Sequence, residues 1–344
     1  MKVLFDVNHP AHVHFFKWPI KLLKEQGVDV VITSRKKDVA LKLLAEMGVD
    51  SLVLSSQGSG VLGLLKELLI RNFRLYKVVK QERPDVMLSV GGTFIAHVGL
   101  LTRVPSLVFY DTENAILQNG ITYPFATEVH VPECYEGSVP KKKERRYKGY
   151  HELSYLHPDY FTPDKAIAEA SGVDLSRNNY LIRLVSWQAS HDIGEQGWSE
   201  EVLSRVIERL SKQGKVLIST EADLPERFAQ WIYDGKASDL HHVIAFCSMV
   251  VGESPTLASE AAVLGVPAIY VHDQGLGYTN EQEKKYGLVK NVFSLEWDLL
   301  SVSIDQILSA DSNLYLEQRK LLLDETIDVV GYVVNSANRY LAEC

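Results

Sequence analysis

Three histidines crowd the start of the chain, in Asn8-His-Pro-Ala-His-Val-His14. Pro10 suits the first position of a helix. His9 and His12 then lie three residues apart and can share the same end of that helix, whereas His14 should point elsewhere. An imidazole at the tip of a first strand can serve as a general base near neutral pH. The alternative is that these rings only pack or hydrogen-bond in the loop. A metal centre would need a further carboxylate or histidine from elsewhere, and none is expected. Farther along, Phe109-Tyr-Asp-Thr-Glu-Asn114 sets Asp111 and Glu113 just after a β-rich run. Such carboxylates can bind sugar hydroxyls or hold a histidine in one tautomer. Capping a short helix at 113–118 is the competing role.

The segment Glu253-Ser-Pro-Thr-Leu-Ala-Ser-Glu-Ala-Ala-Val-Leu-Gly-Val-Pro267 reads as a strand end followed by a capped helix. Ser254 is a good N-cap, and Pro255 fits the first helical position. The amides that follow present the positive end of the helix dipole, where phosphate binds well; Ser254 and Thr256 stand beside them. Ala258, Ala261 and Ala262 let the helix lie close to a sheet, and Gly265-Val-Pro267 stops it. Glu260 is too deep to cap. As a lone carboxylate it suits two hydrogen bonds from a ribose diol; an ordinary surface glutamate is the alternative. Other polar loops follow strand-like runs. Ser186, Ser190 and His191 are candidates for phosphate or leaving-group contacts, Glu221 ends the next run, and Gln274 and Asn280 lie in the stretch that follows the strand after the 253–267 helix.

These residues need elements to position them. Short β-rich runs at 2–7, 28–33, 51–54, 85–90, 106–110 and 128–131 alternate with helical patterns near 13–26, 36–47, 61–82 and 93–103. That alternation predicts a doubly wound parallel sheet. The pattern dissolves after Pro140, so the basic run at 141–146 reads as a solvated linker and a domain boundary. Alternation resumes at 180–185, 216–220, 249–252 and 268–271, and the stretch 296–343 reads helical throughout. The expected division is a first α/β domain at 1–150, a second at 151–320, and a helix at 321–344 returning to the first. Two such domains facing one another put a cleft at the carboxyl ends of both sheets. No dinucleotide fingerprint follows the first strand, and Gly58-Ser-Gly60 and Gly91-Gly92 lack a P-loop's lysine and spacing. NAD enzymes and NTPases are therefore disfavoured.

The 344 residues are 46% apolar and 23% charged with a net charge of −8, which suits a soluble protein and argues against a nucleic-acid binder. Cys134, Cys247 and Cys344 are scattered, so a reducing compartment is expected rather than a disulfide framework. No signal peptide or spanning segment is evident, and the cytoplasm is the expected location. The stretch 62–80 is rich in large apolar residues and carries Lys66, Arg71, Arg74, Lys77 and Lys80 against Glu67. A helix covering a sheet explains it; a basic, apolar surface resting on an anionic membrane is the alternative.

The 253–267 line resembles the nucleotide-binding signature of GT-B enzymes. UDP-GlcNAc 2-epimerases have Ser and Glu where this chain has Ser254 and Glu260, and MurG-type glycosyltransferases have a similar Glu-Ala-Ala helix. More specifically, Asn8-His-Pro-Ala-His-Val-His14, Asp111-Thr-Glu113, Gly149-Tyr-His-Glu-Leu153, Ser186-Trp-Gln-Ala-Ser-His-Asp192 and Glu260-Ala-Ala-Val-Leu-Gly265 together resemble an uncharacterised family of predicted glycosyltransferases, domain of unknown function 354. The resemblance covers nearly the whole chain. It implies a GT-B fold of two Rossmann-like domains and a metal-independent glycosyltransferase of polysaccharide biosynthesis. The donor would be a nucleotide-diphosphate sugar such as a UDP sugar, with a glycan or lipid-linked acceptor and no cofactor. His12 would be the base, with His9, Asp111 and Glu113 around it, and Glu260, Ser254 and Thr256 would hold the nucleotide. Two departures stand out. Pro255-Thr256 replaces the glycines common after the serine. The epimerases' His-Arg-Arg-Glu-Asn run is replaced by Ser186-Trp-Gln-Ala-Ser-His191, which argues against epimerisation. A 2-epimerase or hydrolase on the same scaffold, and a non-catalytic nucleotide-sugar binder, are the alternatives.

Overall fold

The computed structural model describes residues 1–344 except 57, 59, 186–197, 221–222 and 343–344. In chain order the first elements are β1 (Lys2–Val7), α1 (Pro10–Glu25), β2 (Asp29–Lys36), α2 (Asp38–Glu46), β3 (Leu52–Ser56), α3 (Gly60–Glu82), β4 (Val86–Val90) and α4 (Thr93–Thr102). Next come β5 (Ser106–Phe109), α5 (Ile116–Thr122), β6 (Glu128–Pro132), β7 (Glu144–Tyr147), α6 (Leu153–Leu156) and α7 (Lys165–Ala170). The later elements are β8 (Asn178–Leu184), α8 (Glu200–Ser211), β9 (Gly214–Thr220), α9 (Leu240–Ala245), β10 (Met249–Gly252) and α10 (Pro255–Leu264). The chain closes with β11 (Ala268–Val271), α11 (Gly277–Lys284), β12 (Val289–Val292), α12 (Trp297–Ser309), α13 (Ser312–Glu325) and α14 (Val329–Leu341). They form two compact units, Met1–Tyr155 with Ile327–Cys344, and Leu156–Thr326.

The first unit is built on a seven-stranded parallel sheet in the order β3-β2-β1-β4-β5-β6-β7. Its central strands are buried on both faces, so they read as continuous apolar runs such as Val3-Leu4-Phe5 and Met87-Leu88. The strand order reverses between β1 and β4, and the loops beyond their carboxyl ends are where such sheets bind ligands. α14 belongs to this unit. It packs on α1, the Tyr332 hydroxyl meets His130 Nδ1 at 2.8 Å, and Arg339 reaches Glu128 at 2.8 Å.

The second unit has five parallel strands in the order β12-β11-β10-β8-β9. Ile182, Ile218 and Ile269 from its strands pack against Trp198, Leu203 and Val206. Here the order reverses between β8 and β10, which brings the start of α10 to the switch point.

Several boundaries differ from the sequence reading. The basic run at 141–146 is not a free linker: Glu144–Tyr147 forms the edge strand β7, pairing with β6. Its arginines satisfy nearby acceptors, Arg145 on Glu128 and Arg146 on the carbonyls of Glu133 and Tyr135. The helical stretch at 296–343 is three helices, with Asp311 and Asp328 capping the second and third. The short helix expected at 113–118 begins later, at Ile116, with no side-chain cap. The half-polar edge strand β12 had no alternating signature and was not anticipated.

Candidate functional site

The loop after β1 is held by a buried charge. Asp6 is fully buried in an otherwise apolar strand, and such a charge survives only if paired. Arg71 from α3 meets it at 2.6 Å, and the Thr33 hydroxyl donates to the same oxygen. The other oxygen accepts from Asn8 Nδ2 at 3.0 Å. The backbone N–H of Asn8 points to His12 Nδ1 at 3.3 Å. His9 caps α1, its Nδ1 accepting from the Ala11 amide at 3.3 Å, and its ring lies 5.9 Å from that of His12. His14 turns away to stack on Tyr155.

Asp111, just past β5, joins this group. Its carboxylate accepts from His151 Nδ1 at 3.0 Å and from the Thr112 hydroxyl at 3.0 Å. His151 is buried against Phe15, and its Nε2 has no hydrogen-bond partner among the described residues. Glu113 diverges: its carboxylate accepts from the Glu136 amide at 3.1 Å. Burial, followed by the charges of His9, His151 and Arg35, pushes the His12 pKa well below its ordinary value, although Asp111 pulls the other way. Burial works against ionising Asp111, but the charge and hydrogen bond of His151, the Thr112 bond and His12 together hold its pKa down.

The two rings are suited to different tasks. His12 is neutral, and with Nδ1 accepting from Asn8 its proton sits on Nε2, which becomes a donor. His151 has Nδ1 committed as a donor to a carboxylate, leaving Nε2 as an acceptor, the arrangement of an oriented general base.

In the second unit, Ser254 caps α10, its Oγ accepting from the Leu257 amide at 3.3 Å. The Ala258 amide bonds the Ser254 carbonyl at 3.1 Å, and Pro255 has no N–H. The helix end is thus narrower as an anion site than the pattern suggests, offering the half-buried Thr256 and the Ser254 hydroxyl. Glu253 accepts from the Val185 amide at 3.0 Å. Glu260 is 6% exposed, so it is no surface residue. Nor is it alone: His241 Nε2 lies 3.0 Å from its Oε1. Gly252 is required at the end of β10, since a Cβ there would sit 2.0 Å from the Arg183 carbonyl oxygen. Gln274 is exposed, its amide bonded to His272 Nδ1. Asn280 lies on α11 and packs over Gly275. Ser186, Ser190, His191 and Glu221 lie outside the described residues.

The structure therefore groups His9, His12 and Asp111 in one unit, and Ser254, Thr256 and Glu260 in the other; Glu113 and Gln274 stand apart from these groups. Two participants were not singled out, His151 and His241. His151 was legible only as part of Gly149-Tyr-His-Glu-Leu153, and nothing in Leu240-His-His-Val243 marks His241 as a partner of Glu260. Among the described residues no three His, Cys, Asp or Glu side chains are grouped as metal ligands, and no helix is long and apolar enough to cross a membrane.

Two parallel α/β sheets with these strand orders make a fold of the GT-B type. The UDP-GlcNAc 2-epimerase from Neisseria meningitidis bound to UDP-GlcNAc superimposes with a TM-score of 0.67 at 12% identity, covering 100% of both chains. The glycotransferase of kitacinnamycin gives 0.65 at 11% identity over 99% of each chain. Such identities establish the fold alone. The chain belongs to the family described as protein of unknown function DUF354, whose family model matches residues 1–338. An uncharacterized protein of Methanocaldococcus jannaschii is 21% identical over 288 residues, 80% of this chain and 83% of its own length.

Proposed function

We propose that the chain is a metal-independent glycosyltransferase moving a sugar from a nucleotide-diphosphate donor to a hydroxyl acceptor. One observation carries the reading: a neutral His12 and a carboxylate-oriented His151 meet around Asp111 beyond the carboxyl ends of the first sheet's strands. Nε2 of His151 is a buried acceptor without a hydrogen-bond partner among the described residues; leaving such a group unpaired costs about 1–3 kcal/mol, a cost offset when a substrate hydroxyl donates to it. His151 takes that proton as the acceptor oxygen bonds to the anomeric carbon, and Asp111 stabilises the imidazolium. His12 donates from Nε2 to a substrate oxygen. In the second unit, Glu260 engages the ribose, and the Thr256 amide and Ser254 hydroxyl meet the diphosphate. Breaking the sugar–phosphate bond leaves charge on that diphosphate, and one fixed donor aimed at developing charge is worth about 3–4 kcal/mol of barrier.

A second reading, 2-epimerisation or hydrolysis of the same donor, is favoured by the fold shared with a UDP-GlcNAc 2-epimerase. NMR of the protein with nucleotide sugars, with and without acceptor alcohols, separates the two. Transfer gives free nucleotide diphosphate only when acceptor is present; the second reading gives an epimerised sugar or free sugar without it. A melting point unmoved by UDP, GDP, dTDP, CMP and their sugars would refute both.

A further inference from the structure

Helix α3 is turned inside out. Its buried residues are Glu67, Arg71, Leu75 and Val79. The first two are polar because they close the seam over β1 to β3. Glu67 accepts from Arg35 at 2.8 Å, from the Ser55 hydroxyl and from the Gly58 amide, and Arg71 pairs with Asp6. The opposite stripe, at the three- and four-residue spacing of one helical face, is Leu62, Leu65, Leu69 and Phe73, and it is left in solvent, Leu62 at 82% and Phe73 at 59% exposure. The stripe continues into Lys77 and Lys80, and Lys66 lies on the same side.

The pattern extends to the neighbouring helices. α4 packs against α3, and α5 against α4; His97 ties all three, meeting Asn72 on one side and the Ile121 carbonyl on the other. α4 leaves Leu100 and Leu101 exposed, and α5 leaves Ile116 and Leu117 exposed, the last at 80%. Neither helix contains a charged residue. Scattered exposed leucines are ordinary, but a concentration of this kind on adjoining helices marks an interaction surface.

Charge selects the partner. The exposed cations of α3 are Lys66, Arg74, Lys77 and Lys80, with Arg103 just after α4. The acids of α3 are spent, Glu67 in the buried seam and Glu82 on Lys2. A chain with a net charge of −8 has thus put a local excess of positive charge beside some of its most exposed apolar residues. Apolar side chains that enter the acyl boundary, flanked by lysines that reach the headgroups, suit an anionic lipid surface. We infer that α3, α4 and α5 form a platform that docks the first unit peripherally on an anionic bilayer. This does not depend on the catalytic reading.

The test is flotation of the full chain with vesicles of phosphatidylcholine alone or containing about 30% phosphatidylglycerol, an anionic lipid. The chain should float with the anionic vesicles, not the neutral ones, and be released by high salt. Each lysine near the surface is worth roughly fivefold in partitioning, so Lys66→Gln/Lys77→Gln/Lys80→Gln should weaken binding roughly a hundredfold. Leu65→Ser/Leu69→Ser/Phe73→Ser should weaken it at least about tenfold. All six side chains are solvent-exposed, so circular dichroism should be unchanged. Leu299→Ser/Val302→Ser, which removes exposed apolar residues from α12, should leave binding intact. No flotation of the unaltered chain, or equal binding to neutral vesicles that the lysine variant retains, would overturn the inference. So would a dimer in sedimentation that the Leu65/Leu69/Phe73 variant dissolves, with no vesicle binding, since the surface would then join two copies.

Discussion

His151 and Asp111 form a hydrogen-bonded pair, Nδ1 to carboxylate at 3.0 Å, that ties the loop after β5 to the segment leading into α6. The pair lies in the electrostatic reach of His12, whose pKa Asp111 raises while burial and then the neighbouring His9, His151 and Arg35 lower it. Asp111→Asn removes that opposing charge, so His12 becomes still harder to protonate. If His12 must be neutral for turnover, the acidic limb of kcat/KM moves to lower pH in this variant. The loss of orientation at His151 should also lower kcat by about 10²–10⁴-fold, with donor KM little changed. A limb that moves toward higher pH contradicts this arrangement.

The tautomer assigned to His12 has its own signature. As a donor through Nε2, the ring is partly replaced by a glutamine amide but not by alanine. His12→Gln should therefore retain more activity than His12→Ala, which should lose about 10²–10³-fold in kcat. His151→Gln should behave as badly as His151→Ala, because an amide cannot take a proton at neutral pH. Single-turnover rates for the four variants decide it, and equal losses for His12→Gln and His12→Ala would return the base role to His12.

Much of this was legible in the sequence because parallel strands and their helices leave strong local signatures. β1, β10 and β11 fall where apolar runs meet polar loops, and Ser254-Pro255 starts α10 by capping chemistry that acts within a few residues. What was not legible is long-range. Glu260 reads as solitary until His241 is brought beside it, and Asp111 reads as a partner for the early histidines until the fold delivers His151. The inverted face of α3 is the clearest case. Its apolar residues have perfect spacing for a buried stripe, and the demands of Asp6 for Arg71 and of Arg35 for Glu67 turn the polar side inward.

At Glu260, the neighbouring His241 makes the carboxylate a positioned group. Glu260→Gln keeps the shape and one acceptor oxygen but removes the charge. A hydrogen bond to a charged group is worth about 1.5–3 kcal/mol, so nucleotide affinity should fall about 10- to 100-fold by calorimetry. His241→Ala, which frees the carboxylate to rotate, should cause a smaller loss of the same kind. Unchanged affinity in Glu260→Gln would remove Glu260 from the nucleotide site.

Acid stability should report on Glu128 and His12 with distinguishable pH windows. Burial opposes ionisation of Glu128, yet the hydrogen bond and charge of His130, then Arg339 and Arg145, pull its pKa down from 4.5 to about 2. A carboxylate depressed on folding contributes stability that is present above its unfolded pKa and is lost as pH falls toward the folded one. Glu128→Gln should therefore cost on the order of 2–3 kcal/mol at neutral pH, and the gap from the unaltered chain should narrow between about pH 4.5 and 2. His12 acts higher up: its pKa is also depressed on folding, but for a base the unfolded chain then takes the proton first. Stability should erode as pH drops below about 6.5, and His12→Gln should flatten that part of the curve. Thermal melts across the acid range test both, and a Glu128→Gln deficit that stays constant from neutral pH down to pH ~2 would show that the charge of Glu128, and with it its ion pairs to Arg145 and Arg339, does not carry the loss.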